Sequence, residues 1–321
     1  MPEEASGTVV GSTFAQDGTK LFVRRRPGPP GATLTALLSD GIACDGFIWK
    51  YLWDALAEHV HVAHWNYRGH GRSAPPADPE HIRVEDHASD LDAVRRFLGD
   101  PPVVLIGHSF GCQVALEATR LRPEGIRGLA LLCGASGRVT HTFKGSDVLA
   151  QVLPRIIATV EAHPYIARAL WNRVPAEAVM KIAALTGEID AKQMDPRDLL
   201  PYLTHMVDID LPMFLRMLRL AGEHSAADFL PQIQCPVFVL GSDRDSFTPV
   251  VEAEKMAAAI PHCELLLVSG THVAPIEQRQ LVETRVVQFL EGPCTEYAKE
   301  VATATTATTR EMDRSPPHAS S

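Results

Sequence analysis

The stretch "PPVVLIGHSFGCQVALEATR", residues 101–120, constrains the fold of this 321-residue chain more than any other. An apolar run of strand character at 103–106 meets the pattern G-x-S-x-G at Gly107–Gly111, and a helical pattern follows at once. A strand that gives way to a helix this abruptly needs residues without a Cβ on both sides of the reversal. Such a turn holds Ser109 in a strained backbone conformation, clear of the sheet. The helix behind it aims free N–H groups at whatever charge develops beside the serine. The neighbouring His108 points away from the hydroxyl in a turn of this kind and reads as a structural or pocket-wall histidine.

The rest of the chain supplies the context that such a turn needs. Residues 8–26 read as two strands joined at Asp17-Gly18. Strands at "ATLTALLSDG" and "VHVAHW" follow, then a helical repeat at Ala88, Leu91, Val94 and Phe97, and a strand at "IRGLALLCG". The alternation resumes at "CPVFVLG", "VEAEKMAAAI", "CELLLVSG" and "IEQRQLVETRVVQFL". Strands alternating with helices predict a mostly parallel α/β sheet with helices on both faces. Between Ser136 and Leu230 the pattern is helical only. One amphipathic stripe runs through Val148, Leu149, Val152, Leu153, Ile156 and Ile157, and another through "LPMFLRMLRLAG". The expected division is a first core segment at 1–135, a helical cap or lid at 136–230, a second core segment at 231–292, and a disordered tail at 293–321. The tail assignment rests on "ATATTATT" and "RSPPHASS", which lack an apolar stripe.

A serine hydroxyl is a poor nucleophile without a base, and the base needs a third group to orient it. For this turn the chain order is serine, acid, histidine. "VLGSDRDSFTP" offers Asp243 and Asp245 at the end of a late strand, and "LLLVSGTHVAPIE" places His272 after the last one. Both loops lie at the carboxyl ends of strands, where sites in open α/β sheets collect. Attack on a carbonyl also requires preset donors for the oxyanion. The backbone N–H of Phe110 directly follows the nucleophile, and that of Ile42 lies in the loop "SDGIACDG".

These segments together resemble the α/β-hydrolase fold family, in particular its serine-nucleophile, lid-bearing, esterase-like branch, which also adjoins epoxide hydrolases. The resemblance spans roughly residues 18–290 and rests on "SDGI", "YRGHGRS" at Tyr67–Ser73, "GHSFG", "GSDRDSFTP" and "GTHVAPIE". It implies an oxyanion N–H from the first segment and a loop near the site from the second. The last two segments would carry the acid and the base, and their spacing supports Asp245 and His272. Two departures stand out. Asp40-Gly41 replaces the usual His-Gly, so Asp40 should face away from the oxyanion. One extra residue between Gly241 and Asp245 keeps Asp243 as the rival acid. Related enzymes with an aspartate at the elbow attack carbon through a carboxylate, whereas Ser109 suits acyl transfer.

Composition narrows the function further. A formal charge of -9, from 39 acidic against 30 basic residues, lacks the basic footprint of a nucleic-acid binder. No apolar run reaches the length of a membrane span, and "MPEEASG" has no signal-like stretch behind it, so the default location is the cytosol. The six cysteines form no CxxC pair and read as buried thiols. No phosphate-loop lysine or metal-ligand spacing is present, so no cofactor or metal is expected. The expected partner is a small-molecule acyl substrate, a small to medium apolar ester. Thioester, lactone or carbon–carbon bond hydrolysis by the same triad is the alternative, and a non-catalytic binding protein is the rival class. Phe143, Trp171, Met194, Met206, Phe214 and Met217 are the lobe side chains from which a pocket could be drawn. The pattern sets no oligomeric state.

Overall fold

In the computed structural model, residues 7–171, 173 and 175–314 are described. The acidic start, residues 1–6, and the end of the tail, residues 315–321, lie outside them. Eight strands form one sheet: β1 (Val9–Phe14), β2 (Lys20–Arg26), β3 (Thr35–Ser39), β4 (His61–Trp65), β5 (Val103–His108), β6 (Ile126–Leu132), β7 (Val237–Ser242) and β8 (Cys263–Val268). Their spatial order is β1-β2-β4-β3-β5-β6-β7-β8. The first two pairings, β1 with β2 and β2 with β4, are antiparallel, and the rest are parallel. Every residue of β3, β5 and β7 is buried, which accounts for their unbroken apolar runs: helices cover both faces.

In chain order the helices are α1 (Leu52–Ala57), α2 (Val84–Phe97), α3 (Phe110–Leu121), α4 (Val148–Ala162), α5 (Pro164–Trp171), α6 (Ala176–Thr186), α7 (Leu200–Asp208), α8 (Leu211–Glu223), α9 (Val250–Ala259), α10 (Ala274–Glu277), α11 (Arg279–Phe289) and α12 (Thr295–Arg314). On one side of the sheet Leu91, Leu116 and Met256, from α2, α3 and α9, form a core with Leu105 and Val239. On the other, Leu56 and Val286, from α1 and α11, pack with Ala36, Ile106 and Phe238. The period-two alternation along β5 sends Leu105 to one layer and Ile106 to the other.

The chain between β6 and β7 runs through α4–α8 and leaves and re-enters the core through a narrow neck. Gly137 and Ser225 form an antiparallel bridge there. Arg138 N–H donates to the His224 carbonyl (2.9 Å), and Ala226 N–H donates to the Ser136 carbonyl (2.8 Å). The apolar stripe of α4 divides: Leu153 and Ile157 are buried against Leu215 of α8, while Val148, Val152 and Ile156 remain exposed.

The C-terminal segment departs from the expected disordered tail. After α11 the helical path continues through a wide turn at Leu290–Cys294 into α12, so residue 292 is not a boundary. Leu290 and Cys294 are fully buried and Tyr297 packs against the core. Their spacing of four and three residues puts them on one helical face. The threonine-rich composition concealed these anchors, and packing rather than propensity forms the helix.

Candidate active site

The candidate side chains gather at the carboxyl ends of the strands. Ser39 at the end of β3 is in register with Gly107 of β5, and Ser242 at the end of β7 with Val268 of β8. The loops that follow these four strands hold Asp40–Ile42, Ser109, Asp245 and His272. Parallel pairing therefore brings together residues 230 positions apart in the chain, at the crevice where such sheets bind ligands.

Ser109 has φ 54 and ψ -117, a backbone conformation that few non-glycine residues adopt. Sterics enforce the motif around it. A Cβ at position 107 would lie 2.3 Å from the Gly111 carbonyl oxygen, and one at 111 would lie 2.2 Å from the Ser39 oxygen. Either substitution would push α3 off the sheet edge. Ser109 caps α3 with Phe110 as the first helical residue, whose N–H has no acceptor within the helix.

The three expected side chains form a relay. His272 Nε2 lies 2.8 Å from Ser109 Oγ, and His272 Nδ1 lies 2.8 Å from Asp245 Oδ2. A neutral ring with its proton on Nδ1 donates to Asp245 and accepts from the serine hydroxyl. Asp245 is buried, and the N–H groups of Phe247 (2.9 Å) and Thr248 (2.8 Å) donate to its Oδ1. Burial pushes this carboxyl upward, but the His272 ring and the donors from His272 and Thr248 together hold it below the ordinary carboxylate value. Asp243, the rival acid, is elsewhere. It is mostly exposed, and its Oδ1 accepts from Gly270 N–H (3.0 Å), tying the two loops together.

The Asp40 carboxylate is turned toward Trp49 and His64. Trp49 Nε1 (2.6 Å) and His64 Nε2 (2.7 Å) donate to its carboxylate, while Arg24 Nε donates to His64 Nδ1 (3.2 Å). Burial lowers the His64 pKa, which suits a neutral ring bridging a cation and an anion. His108 also turns from the hydroxyl; its Nε2 donates to the His272 carbonyl (2.9 Å), and burial, with a smaller contribution from the neighbouring His272 ring, lowers its pKa to about 3.

The role of the "YRGHGRS" loop could not be read from spacing. His70 is buried, its Nε2 accepts from Ala43 N–H (3.2 Å), and its Nδ1 donates to the Arg68 carbonyl (2.9 Å). It thereby braces the turn that carries Ile42, next to an Ala43 held at φ 59. The one sequence signal was a histidine flanked by two glycines.

Two cavities meet at Ser109. The larger, about 330 Å³, is bounded by Gly41, Phe47 and His272 on the core side, and by Val179, Ala183 and Leu203 of the lobe. The smaller, about 60 Å³, lies among Phe110, Val139, Phe143, Leu149, Leu218 and Thr248. Ile42, Ser109 and Phe247 border both. Of the six lobe residues singled out in the sequence, Met206 lines the larger cavity and Phe143 the smaller. Met194 and Met217 are core residues, Phe214 packs around Leu215, and the Trp171 indole donates to the Met206 carbonyl (2.9 Å). Val179, Ala183 and Leu203 went unnoticed because an apolar face looks the same in sequence whether it meets protein or a void.

Among the described residues no group of three or more His, Cys, Asp or Glu side chains could hold a metal ion, and no helix is long and apolar enough to cross a membrane. The six cysteines are free thiols, and all but Cys263 are buried.

The chain was compared with known proteins. A model of the alpha/beta hydrolase family matches residues 30–285. The chain is 23% identical over 265 residues to the protein named "Putative carbamate hydrolase RutD" of Agrobacterium fabrum, spanning 80% of this chain and 92% of that one. It is 39% identical to lipase LipV of Mycobacterium tuberculosis over a shorter 108 residues, 34% of this chain and 40% of that one. Solved structures of other proteins share its fold. The enol-lactonase from Burkholderia xenovorans LB400 has a TM-score of 0.69 and 21% identity, covering 88% of this chain and 100% of that one. An esterase from Thermogutta terrifontis also has a TM-score of 0.69, with 23% identity over 88% of this chain and 98% of that one. With the family model spanning β3 to β8, the elbow and the histidine loop, the chain belongs to the alpha/beta hydrolase family.

Proposed function

We propose that this protein is a serine hydrolase that cleaves a small to medium, largely apolar carboxylic ester through an acyl-enzyme intermediate. The observation that carries the reading is the unbroken relay from Asp245 through His272 to Ser109, with the serine at the meeting point of two apolar cavities. Ser109 Oγ bonds to the carbonyl carbon as its proton passes to His272 Nε2. The carbonyl oxygen takes the negative charge, and the N–H groups of Ile42 and Phe110 stabilise it. The carbon–oxygen bond to the leaving group then breaks, and Nε2 returns the proton to the departing alcohol. Water repeats the sequence: it loses a proton to Nε2, attacks the acyl carbon, and Ser109 leaves with that proton. Asp245 keeps the ring oriented and stabilises its charged form. The 136–230 lobe acts as the lid that closes the larger cavity.

The test compares wild type with Ser109→Ala on aryl esters of graded acyl length, alongside a thioester, a lactone and a carbamate. The last two bonds are included because relatives bear those names. Ester turnover lost in the alanine variant, with folding unchanged by circular dichroism, supports the reading. Turnover surviving the substitution sinks Ser109 as nucleophile, and a preference for thioester or lactone moves the substrate class while keeping the triad.

A further inference from the structure

The two cavities at Ser109 are unequal, and the groups that border each decide which half of an ester it receives. Their assignment rests on the site being that of an ester hydrolase. His272, which must protonate the leaving oxygen, borders the 330 Å³ cavity but not the 60 Å³ one. Phe110, one of the two oxyanion donors, borders the small cavity but not the large one. The leaving alcohol has to lie on the side from which Nε2 delivers its proton. The acyl chain leaves the same carbon on the other side, so it extends into the space that His272 does not border, beside Phe110.

Phe247 divides the two. Its ring lies 5.0 Å from the His272 ring and 5.2 Å from the Phe143 ring, centroid to centroid, and so forms a wall of each chamber. The small chamber ends against Val139, Phe143 and Leu149 on one side and Leu218 and Ala221 of α8 on the other. One water occupies about 30 Å³ of liquid, and an apolar cavity of about 150 Å³ takes a benzene. A 60 Å³ chamber therefore holds two or three heavy atoms, whereas a 330 Å³ one holds an alkyl chain or a fused aromatic pair.

From this geometry we infer that the preferred substrates are short-acyl esters, acetates and propionates, of large apolar alcohols. The acyl group occupies the chamber capped by Phe143 and Leu149, and the alcohol lies under α6 and α7. The lobe then selects chiefly for the alcohol, and the residues just past the neck set the acyl limit.

Octyl acetate and methyl nonanoate test this directly, because they are isomers that differ only in which side of the carbonyl is long. The expected result is a kcat/KM at least about tenfold higher for octyl acetate. Phe143→Ala and, independently, Leu149→Ala should raise octyl butyrate relative to octyl acetate by about fivefold or more, since each lengthens the small chamber. Equal rates on the isomers, or a preference for methyl nonanoate, would overturn the inference and leave the serine-hydrolase reading intact. An unchanged butyrate-to-acetate ratio in both folded variants would likewise overturn the assignment of the chamber. If wild type turned over none of these esters and its Ser109 failed to react with a fluorophosphonate, the parent reading would fall, and this one with it.

Discussion

The elbow region and the helical lobe treat their apolar side chains in opposite ways. All of β5 is buried, as are nine of the residues of α3, and the elbow between them has no spare volume for even a methyl group. In the lobe, α5 and α6 bury no side chain fully, and Tyr165 and Leu185 are each 89% exposed. Interiors packed to crystal density transmit small misfits as strain, whereas lightly packed helices absorb them. Ser109, Asp245 and His272 thus stand on the densely packed part, and the outer wall of the larger cavity belongs to the lightly packed part. In the proposed reaction, bond chemistry and substrate preference are therefore separable.

Four measurements would break or sharpen the contrast. The largest effect belongs to the relay. Asp245→Asn should lower kcat on the order of 10⁴-fold by losing the correct ring tautomer, while Asp243→Asn should stay within about threefold. A comparable loss at Asp243 in steady-state assays would reverse the assignment of the acid. Next comes packing. Leu116→Ala in α3 should cost about 2–5 kcal/mol in urea unfolding, and Leu170→Ala on the exposed face of α5 about 0.5 kcal/mol or less. Equal costs would mean that the lobe face is covered in solution.

Acid should act mainly through the core. Burial holds His108 at about 3 and His70 at about 4, while the unfolded rings titrate near 6.5. Between those values the unfolded state binds more protons, so stability is complete above about pH 6.5. It then falls, on the order of 1 kcal/mol per ring per pH unit, as pH drops toward 4 and 3. Asp245, whose pKa is depressed, adds to the loss in the same direction at still lower pH. Thermal melts across pH 4–8 check this, and a Tm flat to pH 4 would refute it. The smallest effect is that of His70→Ala. Removing the acceptor from Ala43 N–H loosens the turn that carries Ile42, so kcat should fall about tenfold, less than the 10²–10³ for deleting a donor outright. A change confined to KM would argue against a role at the oxyanion.

Much of the core was legible because its signals are local and redundant. Continuous apolar runs mark buried parallel strands, and the glycines at 107 and 111 mark a turn that tolerates nothing larger. Asp245 and His272 follow from strand ends, since parallel pairing delivers every such end to one edge. The helix at 295–314 is not legible in the sequence because Leu290, Cys294 and Tyr297 are too few to outweigh a threonine-rich composition until a core is present to receive them.

The sequence alone therefore determined the family, the α/β architecture, the helical character of the lobe, and the order of serine, acid and histidine along the chain. Tertiary structure placed Asp245 rather than Asp243 against His272, turned Asp40 toward Trp49 and His64, and set His70 under the turn that carries Ile42. It also decided which lobe residues face a cavity and made two unequal chambers at one serine. The physical reason is that periodicity records which face of an element avoids water. Whether that face meets another side chain or an empty volume depends on partners distant in the chain.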